Sequence, residues 1–312
     1  MDTSSRRNPL IIVGVDGSNP SLAALEFASE YTQKLNGRLR AVSTWDIPIG
    51  DAALPLSWSP GENAEQELER VSREVLGDPL PDWYEFTARE GSAARILLDE
   101  SRSADVLVVG SRGHGGFVGL LLGSVSSQCA AHSSCAVIVV HPSDNTSSDN
   151  TSSDNTSSGD RSSSSTAGPI VVGHDGSNDA DEALKWALAT AAMLDTRLEV
   201  VRTWSIDHIP PQFTEEHGYV PSFEEVTARV HRDLVAGTRR LIESHPNVEV
   251  TFRAALSQPA GALIESSKHA RMIVVGSRGR GGFAGLVLGS VSTTCAAHAH
   301  CPVVVVPGAS RA

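Results

Sequence analysis

Cysteine, aromatic residues, positive charge and long apolar runs are all scarce in this chain, and each scarcity removes a class of protein. Four cysteines in 312 residues are too few for a dense disulfide framework and fit a reduced compartment. No apolar run reaches the ~18 residues that a membrane span requires. Lys and Arg number 25 against 37 Asp and Glu, a net charge of -12, which argues against a nucleic-acid partner held by phosphate neutralisation. Arg6-Arg7 near the start is not followed by the roughly 7–15-residue apolar stretch of an export signal. The chain therefore reads as cytoplasmic, with neither a membrane nor a nucleic acid as partner. Aromatics make up only 5%, so the core has to be aliphatic.

Glycine, by contrast, is plentiful at 27 residues, and its placement is informative. Ile12-Val13-Gly14-Val15-Asp16-Gly17-Ser18 recurs as Val171-Val172-Gly173-His174-Asp175-Gly176-Ser177, and Thr44-Trp45 recurs as Thr203-Trp204. Val109-Gly110-Ser111-Arg112-Gly113 recurs as Val275-Gly276-Ser277-Arg278-Gly279, seven positions further out. A period this long marks a duplicated domain, with extra length between the second and fourth strands of the second copy.

Three Ser-Asp-Asn-Thr-Ser pentapeptides and a serine run lie between the copies, in Ser143–Gly168. This stretch has no apolar side chain larger than Ala167, so ordering it would cost entropy without return. It is expected to be a disordered linker with a reach of roughly 25–30 Å. The expected division is thus domain 1 over 1–142, a linker over 143–168 and domain 2 over 169–312.

Each copy alternates short aliphatic runs with amphipathic stretches, the pattern of a parallel sheet with crossover helices. In the first copy the strands are expected at Leu10–Val15, Leu39–Thr44, Tyr84–Ala88, Val106–Val109 and Ala136–Val140. A helix capped at Ser18 or Asn19 and closed by Gly37 follows the first strand. Others span Ala64–Leu76, Ala93–Ser101 and a stretch starting near Ser124. The second copy repeats this as Ile170–His174, Ala180–Leu194, Leu198–Thr203, Phe223–Glu243, Val248–Ala254, Gly261–Ser267, Met272–Val275, Ser290–Ala297 and Val303–Val306. The fold class is α/β: two tandem doubly wound domains, each a five-stranded parallel sheet in order 3-2-1-4-5 with helices on both faces. In that order strands one and four are neighbours, and the crevice at their carboxyl ends is the expected ligand site.

Both repeated motifs fall there. Gly110, Gly113 and Gly123, followed by Ser124-Val125-Ser126, are matched by Gly276, Gly279 and Gly289, followed by Ser290-Val291-Ser292. Glycine lets backbone approach a ligand closely, and free N–H groups at a helix start bind phosphate oxygens. The hydroxyls of Ser124, Ser126, Ser290 and Ser292 are further donors, and Arg112 and Arg278 can screen phosphate charge. Gly14 and Gly173 lie within strand one. Asp16 and Asp175 end it beside this loop, where a carboxylate can bond a ribose hydroxyl or hold magnesium; an Asx-turn within Asp-Gly-Ser is the alternative.

At these residues the chain resembles the universal stress protein family, in its nucleotide-binding branch and tandem-domain form. The family's ATP motif, Gly-x2-Gly-x9-Gly-Ser/Thr, is matched by Gly110, Gly113, Gly123 and Ser124, and again by Gly276, Gly279, Gly289 and Ser290. Its strand-one aspartate is matched by Asp16 and Asp175, and its strand-two valine, whose backbone meets the adenine, by Val42 and Val201. The resemblance implies ATP with magnesium as the ligand. It also implies a stress-response regulator whose nucleotide occupancy controls conformation or partner binding. A slow ATPase and a nucleotide-independent interaction scaffold are the alternatives. Strand five is an aliphatic edge strand, and the resemblance implies that the other domain or another subunit covers it, as an intrachain pseudo-dimer or a homodimer. The sequence names no protein partner. Two departures are expected to make the sites unequal: His114 stands opposite Arg280, and Arg271 replaces an acidic residue such as Asp105.

The remaining signals are weaker. Cys129, His132 and Cys135, like Cys295, His298 and Cys301, lack the spacing of paired-Cys zinc sites and are read as buried structural thiols. No Gly-x-Ser-x-Gly elbow is present, no catalytic residue is assigned, and the reading leans away from an enzyme.

Overall fold

The computed structural model describes residues 8–46, 59–113, 122–142, 168–206, 222–280 and 287–308. The expected linker, apart from Gly168, and His114 lie outside the described residues.

In the first half the order is β1 (Leu10–Gly14), α1 (Asn19–Lys34), β2 (Arg38–Trp45), α2 (Pro60–Leu76), β3 (Tyr84–Glu90), α3 (Ala93–Glu100), β4 (Val106–Gly110), α4 (Ser124–His132) and β5 (Ala136–Val140). The second half repeats it as β6 (Ile170–Gly173), α5 (Asn178–Leu194), β7 (Leu198–Trp204), α6 (Phe223–Glu243), β8 (Val250–Leu256), α7 (Pro259–Ser267), β9 (Met272–Gly276), α8 (Ser290–His298) and β10 (Val303–Val306).

Several helices start earlier than the apolar pattern suggests. α2 begins at Pro60 instead of Ala64, and α7 at Pro259 instead of Gly261, because proline suits the first helical turn, where its missing N–H has no partner to lose. α5 begins at Asn178, since the Ser177 hydroxyl accepts a hydrogen bond from the Ala180 N–H at 3.2 Å and so caps the helix. β3 and β8 end two residues later than expected, at Glu90 and Leu256, along the two outer edges of the sheet. The seven extra residues of the second half lie between β7 and β8, where α6 has 21 residues against 17 in α2.

The strands form one ten-stranded sheet in the order β3-β2-β1-β4-β5-β10-β9-β6-β7-β8. Each half keeps the 3-2-1-4-5 order with parallel neighbours. The halves meet where β5 pairs antiparallel with β10, in the register Val303↔Val139, Val304↔Ile138 and Val305↔Val137. Strand five is therefore not an edge: the other half of the same chain covers it.

Alternation along each strand divides the core in two. Ile11, Val13, Val108 and Ile138 face α1, α2, α5 and α6, together with Leu25, Leu68, Leu184 and Leu234. Ile12, Leu107, Val109, Val137 and Val139 face α3, α4, α7 and α8 through Leu97, Cys129, Leu263 and Cys295. Both layers run unbroken across the junction, so the two halves share one hydrophobic core. Each fully buried aliphatic side chain contributes about 1.5–3 kcal/mol.

Candidate functional site

β1 pairs in parallel with both β2 and β4. Beyond Gly14 the chain turns to α1 on one face; beyond Gly110 it turns to α4 on the other. That divergence opens a cavity of about 460 Å³. Gly14, Asp16, Val42, Gly110, Arg112, Gly113, Gly123, Ser124, Val125 and Ser126 all line it, the full set assigned to the first half from sequence. Leu97, Val109 and Leu122 also line it. The sequence reading missed this apolar wall because core leucines and valines carry no chemical signature of their own.

The loop after β4 is held by backbone bonds. The Gly123 N–H donates to the Ser111 carbonyl at 2.8 Å, and the Ser111 N–H donates to the Val140 carbonyl at 2.7 Å. The Ser126 hydroxyl donates to the Gly110 carbonyl at 2.6 Å. Gly110 has to be glycine: a Cβ there would lie 2.6 Å from the Pro20 carbonyl carbon at the start of α1. At Gly113 a Cβ would run into the Asp16 carboxylate. The α4 N-terminus is thereby presented to the cavity with Gly123 as its N-cap, without a side-chain cap, so its first N–H groups are offered to a ligand.

The second half repeats these distances. Gly289 N–H to Ser277 carbonyl is 2.8 Å, Ser277 N–H to Val306 carbonyl 2.8 Å, and Ser292 hydroxyl to Gly276 carbonyl 2.6 Å. A Cβ on Gly276 would lie 2.7 Å from the Asp179 carbonyl oxygen, and one on Gly279 2.6 Å from Asp175 Oδ2.

The sequence model of the universal stress protein family matches residues 9–141 and 167–307. The chain belongs to the universal stress protein family. A universal stress protein of Mycolicibacterium smegmatis is 33% identical over 316 residues, covering 95% of this chain and 96% of its own. One from Mycobacterium tuberculosis is 29% identical over 304 residues, at 95% coverage of both. A crystal structure of a universal stress protein from Archaeoglobus fulgidus superposes with a TM-score of 0.64 at 19% identity, covering 96% of this chain and 98% of that one.

Within this universal stress protein the assigned residues do not all play the part their type suggests. In this geometry the Ser126 and Ser292 hydroxyls are committed to the loop carbonyls, so they staple the cradle, while Ser124 and Ser290 open the helices. Asp16 Oδ1 accepts from the Ser18 N–H at 3.0 Å and the Ser18 hydroxyl at 2.6 Å. Asp175 Oδ1 accepts from the Ser177 N–H at 2.9 Å. The Asx-turn therefore forms in both halves. Asp175 Oδ2 also accepts from the Arg280 N–H at 2.7 Å. Burial opposes ionisation of Asp175, but the bonds from Ser177 and Arg280 outweigh it and hold the carboxyl below its ordinary value. The Val42 and Val201 carbonyls accept from the Val15 and His174 N–H groups at 2.9 and 2.8 Å, so one lone pair of each is already taken.

Asp105 and Arg271 sit at the other end of the sheet. The Asp105 carboxylate accepts from the Leu10 N–H at 2.8 Å, and the Arg271 N–H donates to the Pro169 carbonyl at 2.9 Å. Both lie at the amino ends of the strands, so the exchange of Asp105 for Arg271 does not touch the crevice, against the expectation from sequence. Cys129, Cys135, Cys295 and Cys301 are all buried free thiols. Burial pushes Cys129, Cys295 and Cys301 up to about 12, which makes them inert. Among the described residues no group of three or more His, Cys, Asp or Glu is placed to hold a metal, and no helix is long and apolar enough to cross a membrane.

Proposed function

We propose that this universal stress protein binds ATP in the crevice of each half and that occupancy controls its conformation or its partners in a stress response. The observation that carries this reading is the duplicated cradle: the same glycine loop, stapled by the same bonds, delivers an uncapped helix N-terminus to the carboxyl end of the sheet. Phosphate oxygens complement such a terminus, and several hydrogen bonds to one charged group contribute ~1.5–3 kcal/mol each. Arg112 adds positive charge at the first loop, whereas Arg278 lies 3.7 Å from the Asp179 carboxylate, which offsets its charge at the second. Val42 with Leu97 and Val109 in the first half, and Val201 with Leu263 and Val275 in the second, offer apolar surface for a base. Asp16 lines the same cavity as the loop and Val42, and its carboxylate, like that of Asp175 at the matching position, would bond a ribose hydroxyl. Magnesium fits here only as part of the nucleotide complex, because it commonly takes one carboxylate and several phosphate oxygens. Asp16 and Asp175 are the carboxylates that would share it.

Titration calorimetry with ATP tests the reading. Wild type is expected to bind two equivalents, and the protein carrying both Gly123→Glu and Gly289→Glu none, since each glutamate sets a negative charge at a phosphate-facing helix start. Equal binding by both proteins would overturn it. Mass spectrometry of the small molecules released on heating is an independent check, with an adenine nucleotide expected.

A further inference from the structure

The two halves differ in charge around the turn that follows their first strand. Where the first half has Val15, Leu22 and Ser43, the second has His174, Asp181 and Arg202. His174 is buried at 4% exposure, with Nε2 2.9 Å from Asp181 Oδ1 and Nδ1 3.1 Å from Arg202 Nη2. A carboxylate can only accept, so Nε2 carries the proton and Nδ1 accepts from the arginine. Arg202 Nε donates as well, to the His174 carbonyl at 3.0 Å. This chain of bonds fixes the Arg202 guanidinium at the end of β6.

Arg280 approaches from the phosphate loop, and its Nη2 donates to the Gly176 carbonyl at 3.0 Å. Gly176 lies between the two arginines with a φ of +83°. A Cβ built on Gly176 would lie 2.8 Å from Arg280 Nη2 and 2.9 Å from Arg202 Nη2, so both guanidiniums crowd the same face of this glycine and no side chain separates them. Of the five N–H donors on each guanidinium, these bonds use two on Arg202 and one on Arg280. Among the described residues neither guanidinium forms an ion pair. Two cations thus flank the same glycine face, with donors to spare. The nearby carboxylates of Asp175 and Asp181 already accept hydrogen bonds. Burial and then the charge of Arg280 lower the Arg202 pKa, and Asp175, Asp233 and Asp181 do not make up the difference.

We infer that Arg202, Arg280 and the bare face of Gly176 form an oxyanion subsite, peculiar to the second half, that takes a phosphoryl group. Guanidinium forks match phosphate oxygens in geometry and charge, and Arg280 makes the subsite continuous with the loop. The identity of the ligand as a nucleotide rests on the function proposed above; inorganic polyphosphate presents the same chemistry. The second half is then the site that selects for phosphate number, while Ser43 at the Arg202 position leaves the first half less discriminating.

The experiment uses the full chain carrying Gly123→Glu, so that only the second crevice is open, titrated separately with ATP, AMP and inorganic tripolyphosphate. ATP is expected to bind more tightly than AMP by a ratio at least tenfold larger than in the Gly289→Glu protein. Arg280→His and Arg202→Ser, each in that background, are expected to cut ATP and tripolyphosphate affinity roughly tenfold or more while AMP affinity holds. Arg202 also ties down His174, so melting curves accompany both variants; the exposed Arg280 carries the test alone if Arg202→Ser fails to fold. An ATP-to-AMP ratio unmoved by the Arg280 and Arg202 changes overturns the subsite and leaves the nucleotide reading standing. Arginine-dependent tripolyphosphate binding without ATP or AMP binding supports the subsite and overturns the nucleotide reading. Binding of none of the three overturns both.

Discussion

Ile138 on β5 and Val304 on β10 face each other in antiparallel register, and they are equivalent positions in the two halves, each 28 residues after the first glycine of its loop. A pseudo-twofold axis therefore passes between them, and the duplicated chain closes on itself as a symmetric dimer would. Both side chains are fully buried. Ile138→Ala is expected to cost about 2–5 kcal/mol. Because the core layers run through this junction, the loss should appear as one earlier denaturation transition shared by both halves. Tryptophan fluorescence and far-ultraviolet circular dichroism would check it; separate transitions would show that the halves fold independently.

The loop glycines make a second prediction. Gly110→Ala sets a methyl group 2.6 Å from the Pro20 backbone, and Gly276→Ala sets one 2.7 Å from the Asp179 carbonyl oxygen. Backbone cannot swing aside as a flexible side chain can. Each substitution is expected to destabilise the protein by about 1–3 kcal/mol and to weaken ATP binding in its own half only. Denaturant midpoints and calorimetric stoichiometry would measure the two effects, and a neutral Gly110→Ala would sink the close-approach argument.

His141 supplies a third. It follows β5 directly, beside the Val140 carbonyl that anchors the first loop. Among the described residues neither ring nitrogen, both buried, has a hydrogen-bond partner. Burial pushes its pKa below the ordinary 6.5 against the pull of the nearby Ala296 backbone, and Arg112, His300 and His298 push the same way. The equivalent residue of the second half is Pro307, which has no polar side-chain atom to satisfy. His141→Leu removes an unpaired polar group from an interior position, so it is expected to raise stability by about 1 kcal/mol. A lowered melting temperature would mean that the imidazole is bonded after all, the Ala296 backbone being the nearest candidate.

The contrast between Gly110 and Arg202 explains what was legible in the sequence. The glycines recur at fixed spacing, and only a few physical demands require that pattern, so the loop, its helix and its neighbouring aspartate could be placed before any fold was known. Strand five was readable as an apolar run that needs a cover, but aliphatic side chains say nothing about which surface provides it. Arg202, His174 and Asp181 are single residues, 28 and 7 positions apart, whose hydrogen bonds exist only once β6, β7 and α5 are side by side. Comparing the copies would have flagged all three as charged or polar where the first half has Val15, Leu22 and Ser43. Asp105 is a different case: it precedes the fourth strand in the sequence and so belongs to the amino end, away from the crevice, and the expectation about Arg271 overlooked that order.

That network sets a fourth prediction, in the acid range. Burial lowers the His174 pKa from its ordinary 6.5, and Arg202 pushes the same way against the hydrogen bond to Asp181. Well above pH 6.5 the imidazole is neutral whether the chain is folded or not. Below it the unfolded chain takes up a proton that the folded chain resists, so stability falls as the pH drops from 6.5 towards the folded value. His141 adds to the same slope. Asp181→Leu alone strips the His174 Nε2–H of its acceptor and is expected to cost about 1–3 kcal/mol. The double change His174→Val with Asp181→Leu supplies the apolar pair of the first half, while the carbonyl at position 174 still accepts from Arg202. It should recover most of that loss and flatten the decline in Tm between pH 7 and pH 5.5. A double variant no more stable than Asp181→Leu, or one with the acid slope of wild type, would show that the buried imidazole is not what the protein defends against acid.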